Sequence, residues 1–446
     1  MDALDFLAGS FYLLISLFIF IRIWKKNLFW CYFLAIEYFF IIGLGFYPVL
    51  LALGFVDKPD IFNENIISIL IPLHIIFYAI GAFLGFSLGS KRISSRVADF
   101  AVNLNVDARK SFFFIFSICM VFFILYVSSV GLEQAILGAS FARMGEFDYF
   151  DSGAKFAFLT RPMMIGLLTA AYAYFFIFTE KRPYFYLISS VCIGMAIYSV
   201  TVSRYALLEA IVLPFLIYVI YLLRGGVVGK ILALNIIGVG CAFALAVFIY
   251  GKFILYQIAN YFVSGEGINL NVEGNQGADF GAFAHLYYSI GAGAENFFNG
   301  GVVFFKDIWL SPLGIFPSST LDAIGLASLS YQFIPPEESF SCVNTSLVTN
   351  IPGCFIPPYF TGASAYFLPI VGGLLFGFIR FYVYRIVSMS WGDLERLGKA
   401  KDIPVLLVLF YFFEQTMLFI PATISLSVFM LIMAILVVKL KIVTKG

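Results

Sequence analysis

The chain has 446 residues, 62% of them hydrophobic and 12% charged, with a formal net charge of +1. A soluble domain carries roughly 25% charged residues, so this composition, with a mean hydropathy of +0.98, excludes an ordinary soluble protein and indicates an integral membrane protein. A near-neutral balance argues against a nucleic-acid partner, which needs a basic footprint. The Walker, GxGxxG and HExxH motifs of familiar soluble enzymes are missing.

A helix needs about 20 apolar residues to cross the hydrocarbon. That rule predicts eleven spans, near 5–21, 28–53, 66–89, 111–130, 157–178, 184–202, 205–223, 231–251, 366–385, 403–419 and 421–438. The second is long enough to tilt or to hold an extra interfacial turn. Met1 to Ser10 carries Asp2 and Asp5 and no basic residue, and no small-residue cleavage site follows the first apolar run, so a cleavable signal peptide is not expected. No internal repeat stands out of the kind that paired transporter halves show. The predicted organisation is all-α and polytopic: eight spans over 1–252, a large extramembrane segment over 253–365, and three spans over 366–446.

The connections alternate in charge. One side holds Arg22, Lys25, Lys26, Lys91, Arg92, Arg96, Arg109, Lys110, the pairs at 181–182 and 224–230, Arg380, Arg385, Arg396, Lys399, Lys401 and the three lysines of the C-terminus. The other holds Lys58, Arg143, Lys155, Arg161, Arg204, Lys252 and Lys306. That is 20 against 7 of the 27 basic residues. Lys and Arg mark the cytoplasmic side, so the N-terminus is expected outside, the C-terminus inside, and the 253–365 segment outside.

Ionisable groups inside spans are costly and mark functional candidates. Arg161, Arg204, Glu209, Lys252 and Glu414 all fall in the outer halves of their spans; Glu37 is the exception, nearer the inner half of span two. The clustering points to a polar cavity open to the outside. The plainer reading for the cations is helix-end snorkelling, and for Glu209 and Glu414 an interhelical hydrogen bond. Arginine suits bidentate phosphate recognition, so an outer cluster of it favours a lipid phosphate or pyrophosphate over a carboxylate.

Within the long segment, Phe280, Phe283, Tyr287, Ile290, Ala294 and Phe297 form one stripe at helical period. They predict an amphipathic helix that lies on the membrane or packs across the bundle. His285 projects away from the stripe, and its imidazole is suited to acid–base work at neutral pH; a surface histidine without chemistry is the alternative. Residues 299–320 predict a second interfacial helix ended by Pro312 and Pro317. Cys31, Cys119, Cys192 and Cys241 lie in spans, whereas Cys342 and Cys354 are both in the outer segment, where an oxidising compartment would let them pair.

Assembled, these features resemble the bacterial O-antigen polymerases, the oligosaccharide repeat-unit polymerases of Wzy type. Ser203-Arg204-Tyr205-Ala206-Leu207-Leu208 is similar to the small-residue–Arg turn that enters a mid-chain span in that family. Phe305-Lys306-Asp307-Ile308-Trp309 through Phe316-Pro317 looks like the helix and Pro-ended turn of its large loop. Asn344-Thr345-Ser346-Leu347 through Gly372-Gly373 resembles its Thr-containing approach to a Gly-rich span. Arg143 followed by Gly153 approximates an Arg–Gly loop pattern of some members.

The resemblance implies a fold like the lipid-dependent GT-C-type glycosyltransferases in a bacterial inner membrane. It implies undecaprenyl-pyrophosphate-linked oligosaccharides as substrates and a chain-length regulator as a candidate protein partner. Arg204 with Arg161 would meet the donor pyrophosphate, with Lys252, Arg143 and Glu414 as further binding candidates, and His285 or Glu209 would act as base. No Asp-rich metal motif is visible, so no metal or other cofactor is expected. An O-antigen ligase, or a flippase for lipid-linked oligosaccharide, is the alternative.

Overall fold

The structure is a computed structural model, and it describes residues 2–56, 65–104 and 369–399, with scattered positions at 117–128, 219–242, 287–291 and 402–410. Among the described residues every regular element is helical and no strand occurs. Helix α1 runs Asp2–Trp24, α2 Phe29–Phe40, α3 Tyr47–Ala52, α4 Asn65–Leu88, α5 Lys91–Leu104 and α6 Pro369–Arg396. Among the described residues three segments are long and apolar enough to cross a membrane: Ala3–Trp24, Ser68–Leu88 and Val371–Arg396. They coincide with the first, third and ninth predicted spans. Predicted spans four to eight, ten and eleven fall wholly or largely outside the described residues.

Leu7, Leu14, Leu17, Ile21 and Trp24 recur at three- to four-residue spacing on α1, and all are at least half exposed. An apolar stripe of that length left open suits a lipid environment and not water. The opposite face of α1 carries Ala8, Tyr12, Ile19 and Ile23, all fully buried.

The second predicted span forms as one run from Phe29 to Ala52, interrupted by a wide π-helical stretch, Ile41–Phe46. Proline explains the widening. Pro48 has no N–H to offer, and its ring crowds the carbonyl one turn back. The backbone N–H of Tyr47 reaches Ile42 O, the long-period bond of a π turn. The widened stretch also lies close against α1, because a Cβ on Gly9 would run into Gly45 O. At its far end Gly54 takes φ +75°, and Phe55 N–H bonds Leu50 O while Gly54 N–H bonds Leu51 O, a Schellman stop.

The tightest packing is between α4 and α6. Gly81, Gly85 and Gly89 are spaced by four on α4, and Gly373 and Gly377 answer them on α6. A Cβ on Gly81 would collide with Leu374 O, on Gly85 with Phe378 O, on Gly373 with His74 O, and on Gly377 with Tyr78 O. Removing the side chains lets the two backbones touch, the small-xxx-small solution to association in lipid.

One sequence expectation is corrected here, and one connection gains a structure. The helix of the ninth span does not stop at 385. Ile386, Val387, Trp391 and Leu394 keep the buried helical spacing, so α6 runs on to Arg396 and ends in a second Schellman turn at Gly398 (φ +66°). The basic connection after span three, given no secondary structure from sequence, is helical. Lys91–Leu104 is an amphipathic helix whose Ser94, Ala98 and Ala101 face inward. Ser94 Oγ bonds Asp393 Oδ2 on the α6 extension at 3.0 Å, and Ser390 Oγ bonds Ser94 O at 2.9 Å.

The chain divides into two compact units, residues 1–104 with 283–429, and residues 105–282 with 430–446. In the second unit, Ser117, Val121, Ile124 and Ser128 of the fourth predicted span are helical and exposed, and a shorter apolar helix covers Gly226–Gly240.

Candidate functional site

Four helices of the first unit converge on a buried ionic centre. Glu37, from the last turn of α2, and Arg380, from the middle of α6, are both 0% exposed and meet at 2.9 Å (Nη1 to Oε2). Arg380 also donates to Tyr78 Oη on α4 at 2.7 Å and to Tyr384 Oη, one turn further along α6, at 2.5 Å. Tyr384 donates in turn to Glu37 Oε2 at 3.0 Å, and Tyr12 of α1 donates to Glu37 Oε1. The guanidinium lies 3.5 Å from the centre of the Phe40 ring, and Phe40 stacks parallel on Tyr78 at 6.0 Å.

The physical logic is charge cancellation. A lone charge at mid-membrane costs about 3 kcal/mol or more. Here each Glu37 oxygen has a donor, and the guanidinium has a carboxylate, two phenol oxygens and an aromatic face. Phe33, Phe376, Phe381 and Phe410 are buried around it. The arrangement can clasp α1, α2, α4 and α6 and hold protons in fixed positions. Among the described residues the pair is held by Tyr12, Tyr78 and Tyr384 and is shut away from solvent.

Of this centre, only Glu37 was singled out by its depth in a span. Arg380 was expected in a basic connection, and the structure corrects that: it lies eleven residues into α6 and belongs with the membrane-depth charges. The spacing of Arg380 and Tyr384, which puts guanidinium and phenol on one helical face, was the available signal.

A second arrangement lies at the opposite end of the unit from the basic helix ends. Tyr287 and Ile290, two of the six predicted stripe residues, are helical and fully buried. Tyr287 Oη donates to Asp5 Oδ1, in the first turn of α1, at 3.0 Å, and its ring packs 5.2 Å from that of Tyr47. Asp5 is itself buried. The stripe here packs into the bundle, one of the two alternatives its periodicity left open.

No family model, curated protein or solved structure matches this chain. Arg161, Arg204, Glu209, Lys252, Arg143, His285, Glu414, Cys342 and Cys354 lie outside the described residues. Among the described residues, no three His, Cys, Asp or Glu side chains converge as a metal site.

Proposed function

We propose that the chain is a membrane glycosyltransferase that polymerises undecaprenyl-pyrophosphate-linked oligosaccharide repeat units at the periplasmic face of a bacterial inner membrane. The observation that carries this reading is the one-sided placement of the span arginines Arg161 and Arg204 beside a segment of more than 100 residues, 253–365. The buried centre sharpens it. Arg380 is committed to Glu37, Tyr78 and Tyr384, so a pyrophosphate has to be met by the other membrane-depth arginines. The seating of Tyr287 on Asp5 and Tyr47 supports the long segment as a packed cover at the end remote from the basic residues.

In the proposed reaction an acceptor hydroxyl of the incoming lipid-linked unit attacks the anomeric carbon of the growing chain. The new glycosidic C–O bond forms as the bond to the pyrophosphate oxygen breaks. The hydroxyl proton passes to His285 or Glu209, and undecaprenyl pyrophosphate leaves with its charge met by Arg204 and Arg161. Lys252, Arg143 and Glu414 are the further contacts expected around the glycans. A chain-length regulator is the proposed protein partner.

A transporter is the second reading, favoured by one observation: ionisable pairs at mid-depth also occur on ion and substrate pathways. Glycan banding from cells lacking the protein separates the possibilities. Lipopolysaccharide bearing a single repeat supports the polymerase. Long lipid-linked chains that never reach the core identify a ligase, and short units trapped on the cytoplasmic side identify a flippase; either result refutes the polymerase. Arg204→Lys keeps the charge and loses the bidentate fork. Unchanged chain length at unchanged protein level would remove Arg204 from the pyrophosphate.

A further inference from the structure

We infer that Arg22, Lys26 and Arg385 form a binding site for the phosphodiester of an anionic phospholipid at the basic end of the first unit. The cluster is built from three helices. Arg22 lies in the last turn of α1, Lys26 in the turn to α2, and Arg385 on α6, next to the buried Tyr384 in sequence. The turn is fixed in place: Asn27 Nδ2 donates to Ser388 O at 2.6 Å, and Asn27 Oδ1 accepts from Phe29 N–H at 3.1 Å. One side chain therefore caps α2 and ties the turn to α6 beside Arg385.

Arg385 is positioned as firmly. Its aliphatic stem fills the space left by Gly89, where a Cβ would collide with it. Its guanidinium lies 5.2 Å from the centre of the Phe86 ring, and that of Arg22 lies 5.1 Å from Phe18.

These cations have no acidic partner among the described residues. The carboxylates on nearby elements are engaged elsewhere: Asp393 with Ser94 and Arg396, and Glu395 with Trp391 Nε1. Lys26 records the imbalance. Partial burial, then Arg385, then Arg22 hold its ammonium below the ordinary lysine value. Like charges held together without a counter-charge are a standing repulsion that an anion would relieve.

Depth selects the anion. Trp24 is half exposed and packs on Trp30 with ring centres 4.3 Å apart, and Phe20 adjoins both. Tryptophans of this kind sit at headgroup level. Below them runs the exposed apolar stripe of α1, which acyl chains can cover. A phosphate with two tails fits that step from apolar wall to cation cluster; a free anion uses only the upper half.

The test uses the purified full-length protein in detergent, titrated with phosphatidylglycerol or phosphatidylcholine and read by native mass spectrometry. The native chain should retain phosphatidylglycerol in preference to phosphatidylcholine. Lys26→Gln with Arg385→Gln should weaken phosphatidylglycerol about 30-fold, from two juxtamembrane charges, and leave phosphatidylcholine unchanged. Arg96→Gln on α5 should change neither. Should the double variant fail to run as a monodisperse species, Arg22→Gln with Lys26→Gln, both exposed, carries the same expectation. Undiminished phosphatidylglycerol binding in a folded variant would overturn the site. Displacement of the lipid by millimolar inorganic phosphate would overturn the lipid assignment in favour of a free-anion site.

Discussion

Removing both members of the Glu37–Arg380 pair should cost far less than the sum of removing each alone. Glu37→Gln keeps size and shape but takes the carboxylate from the buried guanidinium, whose remaining contacts include Tyr78, Tyr384 and Phe40. A guanidinium cannot shed its proton, so the full penalty of an uncompensated buried charge applies, about 3–5 kcal/mol. Arg380→Met leaves a carboxylate that still has Tyr12 and Tyr384 as donors and that can be neutralised by binding a proton. Its cost should be smaller, about 2–3 kcal/mol. With both changes no charge remains, and the double variant should sit well above the sum of the singles, a coupling of about 2–3 kcal/mol. An ordinary interhelical hydrogen bond in a membrane protein couples by only about 0.6 kcal/mol. Unfolding in mixed micelles with rising SDS, followed by tryptophan fluorescence, gives the four corners of the cycle. A coupling at or below that of a single hydrogen bond would refute the ion pair as the clasp of these helices.

Gly81→Val and Gly377→Val should each separate α4 from α6, at about 1–3 kcal/mol for overpacking against a backbone that cannot yield; the same SDS titration reads the loss, and Gly54→Ala, which meets no neighbouring atom, serves as a strain-only control. Tyr287→Phe removes one donor from buried Asp5 and should lower stability by about 1–2 kcal/mol, whereas Tyr287→Ala should also expose the start of the 253–365 segment to limited proteolysis; equal protease resistance of the native chain and Tyr287→Ala would count against the seating. For the proposed chemistry, His285→Gln should shorten glycan chains about 100-fold or more in turnover if the imidazole is the base, with Glu209→Gln the decisive comparison when it does not.

Helix existence was legible and helix depth was not. The apolar runs before Trp24 and Leu88 place α1 and α4 within a few residues of where they form, because span length is imposed by the bilayer and written directly in composition. Pro48 carried the signal for the irregular turn in the second span, whose length alone suggests one long helix able to tilt or to hold an extra interfacial turn. The Gly81-x3-Gly85-x3-Gly89 and Gly373-x3-Gly377 spacings were an unread signal for close packing, and they do not name each other as partners. Arg380 shows where such reading fails. A rule that assigns basic residues to helix ends assumes that a charge seeks water, and this one is satisfied inside by a carboxylate on another helix.

The same assumption placed Arg161, Arg204 and Lys252 near an outer boundary, so the argument for a polar outer pocket turns on their partners and not on their depth. Glu209 and Glu414 are the two membrane-depth carboxylates available to neutralise them as Glu37 neutralises Arg380. Arg204→Met and Glu209→Gln therefore distinguish two situations that look alike in sequence. If the two groups form a structural clasp, the variants should lose stability together and recover in combination. If they belong to an open substrate site, the double variant should be as inactive as either single one, with stability changed by less than about 1 kcal/mol in all three.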